Sequence, residues 1–587
     1  MKTLKLLTAG FIVASTFGMS DASAQKLAAE NTVEISGKSK RGYLGNVVVD
    51  DTKQQLDLVF VTKSTNRKVK FQVYQFDYDL KLINQFADEQ EVERAREKYK
   101  WIKAPKEDVQ VFNGVTAEGD MMGNLVFKKK EITLKYNWWT GKYQKEQKIL
   151  DKLKPKSEDG KSYLLSVIGM DEDGKQQYSA FDIDETGEVI AIVGEKGKIK
   201  DDPYKHQKEF KIMKANGNLD MTVPGEVTFA NPHTVIYCGL IKEGSIDVDE
   251  VGLGDIAIVY APIAGQGYGK IKDPNPTTFT YVRIGRDGIV KEKIDFTTKA
   301  AKWTIDAVYE TEGQVIIYGP GKILKTPEDA YRGAYDFMQK EKGFENFQIV
   351  GIKDGKAAFV TAPNLDEFEA KNSKPDNQKK PVLYKGGRIE IGGLDITSSG
   401  DLFINAQEWS YDAMGSYRGK KYHDFLMFHF DKAGNLVKCY GIDNPQKAGL
   451  KGTADPRQDP KYYQTSSKIF EGSDKNSVFW MQFFIGNVER RSISEDVLGM
   501  KYTYTWWTPR KQVRIGKIDI SGATVGNFTA FGEGSGTGKK FYLMNEFPVI
   551  EINGGKQAVF IGEDTNIWGS DSSGDYLWLG KFDPSKM

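Results

Sequence analysis

The stretch FHFDKAGNLV, residues 428–437, decides the fold. Two alternating apolar segments are joined through Asp431 and Gly434, residue types that suit a tight turn between β-strands. The same pattern returns as FDIDETGEVI (181–190), VRIGRDGIVK (282–291), GKIDISGATV (516–525), QFDYDLKLI (75–83) and GKFDPSKM (580–587). A hairpin that recurs at intervals along one chain predicts an architecture of β-sheet repeats.

A second type of hairpin alternates with the first and consists of an apolar strand, a polar turn and another apolar strand. Its copies are VVVDDTKQQLDLVFV (47–61), AVYETEGQVIIYG (307–319), IVGIKDGKAAFV (349–360), LDITSSGDLFINA (394–406), IFEGSDKNSVFWMQFF (469–484) and IEINGGKQAVFIG (550–562). Strands of the second type are named A and B, and those of the first type C and D. The order A, B, C, D predicts antiparallel four-stranded units.

Four-stranded units repeated radially form a β-propeller. The pattern predicts about seven blades, with six to eight compatible with it, and tandem β-sandwiches are the alternative. The units are read near 42–86, 109–193, 225–296, 303–391, 394–442, 466–531 and 548–583. Each unit averages about 80 residues, more than the roughly 40–50 of familiar propeller repeats, so long inserted loops are required.

The two ends of the chain are predicted to close the ring. The last unit supplies strands A, B and C, and then ends four residues after DYLWLGKFD (575–583). The segment NTVEISG (31–37) has the alternating pattern of a strand and is placed to supply the missing fourth strand. A strand from the other terminus protects the otherwise open edge of the last sheet.

The long connections are predicted to gather on one face of a single propeller domain, residues 25–587. Strands A–B and C–D are joined by short turns, whereas B–C and D–A connections leave the opposite end of each sheet. The long ones are read at 263–277, 363–381, 408–423, 443–465 and 485–500, with helices predicted at 88–101 and 326–343. Insertions on one face of a repeat protein indicate a binding surface, and tolerated surface loops are the alternative.

The first 24 residues read as a secretory signal peptide. Lys2 and Lys5 precede an apolar stretch, and Ala22-Ser23-Ala24 suits cleavage before Gln25. Without residues 1–24, the 82 basic and 81 acidic residues fall to 80 of each. This balance argues against a nucleic-acid partner, and no later stretch has the roughly 20 apolar residues of a membrane span. The chain is expected to be periplasmic, or secreted as the alternative, and not membrane-embedded.

The sequence contains no catalytic constellation, and no cofactor, metal or catalytic residue is predicted. GEGSGTGKK (532–540) has Lys540 where a phosphate loop needs Ser or Thr, and DIDETGEVIAIV (182–193) has Val193 where an EF-hand needs Glu. The four histidines are scattered and suggest no zinc site. Cys238 and Cys439 fall in strands of different repeats and are expected to remain buried thiols.

An aromatic motif supplies the candidate partner-binding residues. YNWWTGKYQ (136–144) and YTWWTPRKQ (504–512) agree at five of nine positions. Adjacent residues of a strand face opposite sides, so one tryptophan of each pair can be exposed for a protein or sugar partner. The candidates are Trp138, Trp139, Trp506 and Trp507; packing between blades is the alternative role.

The signal peptide, the F-D-x-x-G hairpins and the abundance of lysine and tyrosine resemble those of exported propeller-type proteins of Bacteroidota. That resemblance implies a non-catalytic periplasmic subunit that docks an outer-membrane or transport protein through its long-loop face. Such propellers include accessory subunits of outer-membrane transport machines, among them a plug of the type IX translocon. The alternative is a secreted carbohydrate-active enzyme or glycan-binding propeller that uses exposed tryptophan.

Overall fold

The computed structural model describes about two thirds of the chain. The described residues are 26–64, 68–91, 136–137, 142–143, 162–170, 188–195, 208–216, 221–244, 252–263, 265–266, 270–271, 276–323, 325, 331, 343–414, 417–446, 456–497, 500–532, 540–544, 547–564 and 576–586. Strands dominate these residues, and the two α-helices, α1 (Gly37–Lys40) and α2 (Leu365–Ala370), are each shorter than two turns.

The first half of the chain forms four antiparallel four-stranded units after a single N-terminal strand, β1 (Ala29–Glu34). The third and fourth units are joined by a two-residue parallel pairing into one nine-stranded sheet. Blade 1 comprises β2 (Tyr43–Asp50), β3 (Gln55–Ser64), β4 (Lys68–Asp77) and β5 (Leu82–Glu91). A small pair, β6 (Tyr136–Asn137) and β7 (Lys142–Tyr143), precedes blade 2, which comprises β8 (Ser162–Met170), β9 (Glu188–Glu195), β10 (Glu209–Asn216) and β11 (Met221–Thr228). Blade 3 comprises β12 (His233–Glu243), β13 (Gly252–Pro262), β16 (Thr278–Ile284) and β17 (Val290–Thr297), with the pair β14 (Gly265–Gln266) and β15 (Lys270–Ile271) between its second and third strands. After β18 (Ala300–Trp303), blade 4 comprises β19 (Ala307–Thr311), β20 (Gln314–Ile323), β21 (Asn346–Lys353) and β22 (Lys356–Thr361).

The second half forms three further four-stranded units, and the strand Phe541–Leu543 links the last two of them into one ten-stranded sheet. After β23 (Asn372–Ser373), blade 5 comprises β24 (Arg388–Ile396), β25 (Leu402–Met414), β26 (Tyr417–Phe430) and β27 (Leu436–Ile442). Blade 6 comprises β28 (Ser466–Glu471), β29 (Ser477–Val497), β30 (Met500–Asp519) and a fourth strand in two pieces, β31 (Thr524–Val525) and β32 (Thr529–Phe531). After β33 (Phe541–Leu543), blade 7 comprises β34 (Val549–Ile552), β35 (Gln557–Asp564) and β36 (Tyr576–Phe582), and its fourth strand is β1.

Neighbouring blades pack face to face around a ring. Six buried apolar clusters each draw residues from two blades: 2 with 3, 3 with 4, 4 with 5, 5 with 6, 6 with 7, and 7 with 1. A seventh cluster covers the remaining face of blade 1. Phe403 packs in the cluster with blade 6 and its neighbour Ile404 in the cluster with blade 4, because successive strand residues face opposite sides. The chain is therefore a β-propeller of seven four-stranded blades.

The predicted closure by the N-terminal strand is confirmed. β1 pairs with β36 in antiparallel register over six residues, from Ala29↔Lys581 to Glu34↔Tyr576. The indole Nε1 of Trp578 also donates to Glu30 Oε1 at 2.5 Å. Because blade 7 combines the first and last strands of the chain, the ring is held closed at its two ends.

The aspartate of the recurring hairpin explains why the turn between the third and fourth strands repeats. Asp431 Oδ1 accepts hydrogen bonds from the backbone N–H groups of Ala433 and Asn435, at 2.9 and 2.8 Å. Gly434 has φ 78°, a backbone conformation that favours glycine. Asp583 Oδ1 likewise accepts from Ser585 N at 3.0 Å, in the last copy of the motif. The aspartate therefore satisfies the turn's own amides.

Several strands were assigned from the sequence to the wrong position within a blade. The second blade spans 162–228 and not 109–193, so β9, read as a fourth strand, is a second strand. The hairpin 349–360 joins the third and fourth strands of blade 4 and not the first two. The A–B and C–D hairpins have similar local sequences. An irregular unit therefore leads to later strands being given the wrong letter. Of the predicted helices, residues 88–91 belong to β5; the rest of 88–101 and all of 326–343 except Tyr331 and Gly343 lie outside the described residues.

Candidate functional site

Two hairpins extend beyond the blades at the same end of the ring. The strands β29 and β30 contain 21 and 20 residues. Beyond the register shift at Ile485/Asn487 they pair from Asn487↔Arg510 to Val497↔Met500, a two-stranded ribbon roughly 35 Å long at about 3.3 Å per residue. We call residues 487–497 and 500–510 the long ribbon. Residues 485–500 were predicted to be a loop, but alternating β-branched and aromatic residues continue the sheet there.

The neighbouring blade carries a shorter version of the same device. In blade 5, β25 and β26 pair past a register shift at Gln407/Trp409, from Trp409↔Tyr422 to Met414↔Tyr417. We call residues 409–414 and 417–422 the short ribbon; they too were predicted to be loop. A bulge increases the local twist and bends the strand. The bulge where each ribbon joins its blade therefore changes the direction of the ribbon relative to the blade.

The base of the long ribbon is fixed to blade 7 by a buried arginine. Arg510 is 6% exposed. Its Nε donates to Glu489 Oε2 at 2.9 Å across the ribbon, and its Nη1 donates to Glu563 Oε1 at 2.8 Å in β35. A buried arginine satisfied by two carboxylates holds a fixed geometry, because leaving either charge unpaired is costly. The first residues of the long ribbon are therefore held in one orientation.

A second arginine lies at the junction of blades 5 and 6. Arg514 Nε donates to Gln482 Oε1 at 2.7 Å, and its Nη2 donates to the carbonyl of Asp443 at 2.7 Å. Its guanidinium also lies 5.0 Å from the ring centroid of Phe528 and 5.6 Å from that of Phe425, within cation–π range. Arg514 thus connects blade 6 to the polypeptide that follows blade 5.

A buried carboxylate lies at the base of the short ribbon. Burial and, to a lesser extent, the nearby charge of Asp424 raise the pKa of Glu408 to about 7, against the opposing effect of Lys385. Asp424 itself accepts a hydrogen bond from the backbone N–H of Asn444 at 2.9 Å. Two partly buried carboxyl groups therefore lie at this end of blade 5, and the pKa of one of them is raised.

The Glu408→Gln variant is expected to be more stable than the parent protein at pH 8 and similar to it at pH 5. The folded pKa of about 7 exceeds the ordinary glutamate pKa of 4.5, so the carboxyl group's contribution to stability is lost as pH rises from about 4.5 through 7. The full loss is on the order of 3 kcal/mol. Melting curves from pH 5 to 8 measure it, with the exposed Glu369→Gln as control; parallel pH profiles for parent and Glu408→Gln would refute it.

The outer part of the short ribbon presents aromatic and cationic side chains together. Trp409 and Tyr411 have ring centroids 4.9 Å apart in an edge-to-face arrangement, and Tyr411 is 52% exposed. The guanidinium of Arg388 lies 5.4 and 5.1 Å from these two rings, and Lys420 Nζ lies 4.7 Å from that of Trp409. Trp409 is buried, so Tyr411 is the ring of this pair that a partner can reach. An exposed aromatic ring beside cations is typical of protein-binding surfaces and also suits sugar stacking.

The predicted tryptophan sites are only partly described. Trp138 and Trp139 lie outside the described residues, between the small strands β6 and β7. Trp506 and Trp507 both lie on β30 in the long ribbon, opposite Arg491 and Arg490. Successive strand positions face opposite sides, so these two tryptophans belong to different faces. Trp507 is half-buried, and its role in partner binding stays a prediction.

The described residues contain little that resembles a catalytic or metal centre. No group of three or more potential metal ligands occurs among them. His423 Nε2 is 2.7 Å from Ser410 Oγ, and the buried His429 contacts Asp401 at 3.1 Å. Cys238 and Cys439 are not joined in a disulfide; Cys439 is buried as expected, whereas Cys238 is half-buried. In the described part of the chain, no helix has the length and apolar character needed to cross a membrane.

Sequence reasoning missed the polar residues at the ribbon bases. Glu408, Arg510 and Arg514 stand in alternating strand segments in which a charged residue ordinarily marks the exposed face. Their burial results from packing against neighbouring blades and connections. One available signal was the length of the alternating pattern at 477–519, which is too long for a single blade strand pair.

Comparison with known proteins gives no family. No protein-family model and no curated protein matches the chain. Among solved structures, a lignostilbene dioxygenase of Pseudomonas brassicacearum is 7% identical, with 96% of this chain and 94% of that one covered and a TM-score of 0.24. An α-L-arabinofuranosidase of Fusarium graminearum is 6% identical (72% and 93% covered, TM-score 0.23), and a member of the duf4221 family from Bacteroides vulgatus is 11% identical (72% and 99% covered, TM-score 0.23). Such low scores carry no argument about function.

Proposed function

We propose that this protein is an exported, non-catalytic β-propeller of the periplasm that docks a protein of the outer membrane through its two ribbons. The observation that carries the proposal is the long ribbon, eleven cross-strand pairs beyond the blade with its base fixed by Arg510. A projecting two-stranded ribbon offers edge hydrogen-bonding groups that a partner strand can use, and side chains on both faces.

The composition of the ribbons supports a protein partner. On β30, Tyr502, Tyr504 and Trp506 occupy alternate positions and so belong to one face of the long ribbon. Tyrosine, tryptophan and arginine are the residues that contribute most binding energy at protein interfaces. On the adjacent blade, the short ribbon adds the exposed Tyr411, and Arg388 of β24 lies beside it. A transport machine of the outer membrane, including the type IX translocon, is the partner class that we favour.

Deleting residues 490–507, with Glu489 joined to Thr508 through Asn-Gly, is expected to abolish recovery of the partner. The deletion keeps the Glu489–Arg510 bond, so the blade should retain its melting temperature. Full-length and deleted proteins would be cross-linked in cells and purified from membranes. Recovery of one outer-membrane protein at about 1:1 with the parent protein, and its loss with the deletion, is the expected result.

The matched control is Lys432→Ala, on an exposed turn at the opposite end of blade 5, which should leave recovery unchanged. Equal recovery with and without residues 490–507 would contradict docking through the long ribbon. Export would be checked in the same cells by fractionation and by the N-terminal sequence of the purified chain, which should begin at Gln25.

A second candidate function is glycan binding by the aromatic pair of the short ribbon. It is favoured by the exposed ring of Tyr411 beside Trp409, since flat exposed rings stack on sugars. Glycan-array binding by the purified protein that is lost in Tyr411→Ala and unaffected by the 490–507 deletion would establish this function in place of the first.

A further inference from the structure

A polar cavity lies at the seam where the ring closes, at the opposite end of the blades from the ribbons. It has a volume of about 330 Å³. Its wall comes from the turns of blade 1 around Gln54 and Tyr78, from the first turn of blade 7 at Asn553, and from Gln557 and Lys581 in β35 and β36. The cavity therefore exists only when β36 and blade 1 are brought together.

The two blades are joined at the cavity by the carboxylate of Asp51. Its Oδ1 accepts from the backbone N–H of Asn553 at 2.7 Å, and its Oδ2 accepts from that of Gly554 at 3.0 Å. The hydroxyl of Tyr78 also donates to Asp51, and these bonds lower the pKa of this carboxyl group. The cavity wall is thus held in place across the seam.

An ammonium group without a counter-ion faces this cavity. Lys581 is 7% exposed, and its Nζ makes no hydrogen bond or ion pair with the described residues. Its one contact of electrostatic character is with the ring of Tyr78, whose centroid lies 6.0 Å away. The buried carboxylate of Asp583, two positions along the chain, is already bonded to Gln557 Nε2 at 2.7 Å and to Ser585. The side chain is mostly buried while its ammonium faces the cavity, so an anionic group of a ligand in the cavity could pair with it.

The opposite charge is found at the rim. Asp77 and Asp79 line the same cavity, and Asp79 is exposed. Asp77 Oδ1 accepts from the backbone N–H groups of Asp79 and Lys81, at 3.0 and 2.8 Å. The remaining lining cation, Lys53, is exposed and bonded to Asp50 at 2.6 Å. The floor is therefore cationic at Lys581, and the rim is anionic.

We propose that this cavity binds a small zwitterion of the amino-acid or dipeptide class, with its carboxylate on Lys581 and its ammonium at Asp77 and Asp79. A simple anion would be attracted by Lys581 but repelled by the two aspartates. A simple cation would be attracted by the aspartates but repelled by Lys581. The carboxamides of Gln54, Asn553 and Gln557 add hydrogen-bonding groups that suit the polar remainder of such a ligand. The volume of about 330 Å³ is at the lower end for ligand pockets, as a small ligand requires.

Calorimetric titration of the full mature chain tests the proposal. Glycine, L-alanine and glycylglycine are the zwitterionic probes; acetate, ethylamine, inorganic phosphate and glucose are the comparison probes. At least one zwitterion should bind saturably with a Kd of about 1 mM or below and raise the melting temperature, because it bridges blades 7 and 1. Acetate, ethylamine, phosphate and glucose should bind at least tenfold more weakly.

Two variants connect the binding to the cavity. Lys581→Met should weaken zwitterion binding at least tenfold. Asp79→Asn, at an exposed position, should weaken zwitterion binding several-fold and leave the melting temperature unchanged. If Lys581→Met fails to fold, Asp79→Asn alone tests whether the ligand binds in this cavity. Absence of saturable binding by every zwitterion, tighter binding of glucose or phosphate, or binding unaffected by Asp79→Asn would overturn the proposal. Because the cavity lies away from the ribbons, deletion of residues 490–507 should leave this binding intact.

Discussion

Deleting residues 25–35 is expected to lower the melting temperature of the mature protein by on the order of 5 °C and to make it prone to aggregate. The deletion removes β1 with the buried Ile35 and the partly buried Val33, Ala29 and Leu27. Burial of apolar side chains at up to about 2 kcal/mol each gives a loss on the order of 5 kcal/mol. Aggregation follows because β36 becomes an exposed edge. Differential scanning calorimetry and light scattering measure the two effects.

A synthetic peptide of residues 26–36 should restore much of the lost stability when added to the deleted protein, because β1 pairs with β36 in continuous antiparallel register and also carries its own apolar contacts. A peptide with the same composition in scrambled order is the control. A deleted protein that melts at the parent temperature would show that the N-terminal strand does not close the ring.

The Arg510→Met variant is expected to lose about 3–5 kcal/mol of unfolding free energy, the usual cost of removing one partner from a buried ion pair. Glu563 is 9% exposed, and its carboxylate would lose its bond to the guanidinium. Glu489 would lose its cross-strand partner as well. Urea denaturation of parent and variant gives the difference.

Two further variants isolate the cause. The double variant Arg510→Met/Glu563→Gln should recover a large part of the loss, because no charge then remains buried without a partner. Arg490→Met, an exposed position on the same ribbon, should change the unfolding free energy by less than about 0.5 kcal/mol. Equal losses in Arg510→Met and Arg490→Met would show that the buried contacts of Arg510 do not stabilise the blade.

The repeating architecture and its closure could be predicted because they depend on local chemistry. In the turn at Asp431, the aspartate side chain accepts hydrogen bonds from the turn's own backbone amides. The same sequence motif therefore forms the same hairpin wherever it occurs. The pairing of β1 with β36 followed from a missing fourth strand. The position of each strand within its blade could not be predicted reliably. The hairpin at 349–360 resembles one between the first and second strands of a blade, although it joins the third and fourth.

The candidate site could be predicted only in outline. The tryptophans at 506 and 507 were found from a repeated motif, but the ribbon that carries them was expected to be a loop. The buried position of Arg510 depends on Glu563, more than fifty positions away in the chain, and no local pattern encodes such a contact. The burial of Lys581 could not be predicted from the sequence either, since it arises only when the ring closes.

Photo-cross-linking in intact cells tests docking through the ribbons most directly. A photo-reactive residue would be placed at position 507 on the long ribbon, at 411 on the short ribbon, or at 432 on the opposite end of blade 5. We predict that positions 507 and 411 cross-link to the same outer-membrane protein and that position 432 does not. Cross-linking of that protein from position 432 alone, or from none of the three, would contradict the account.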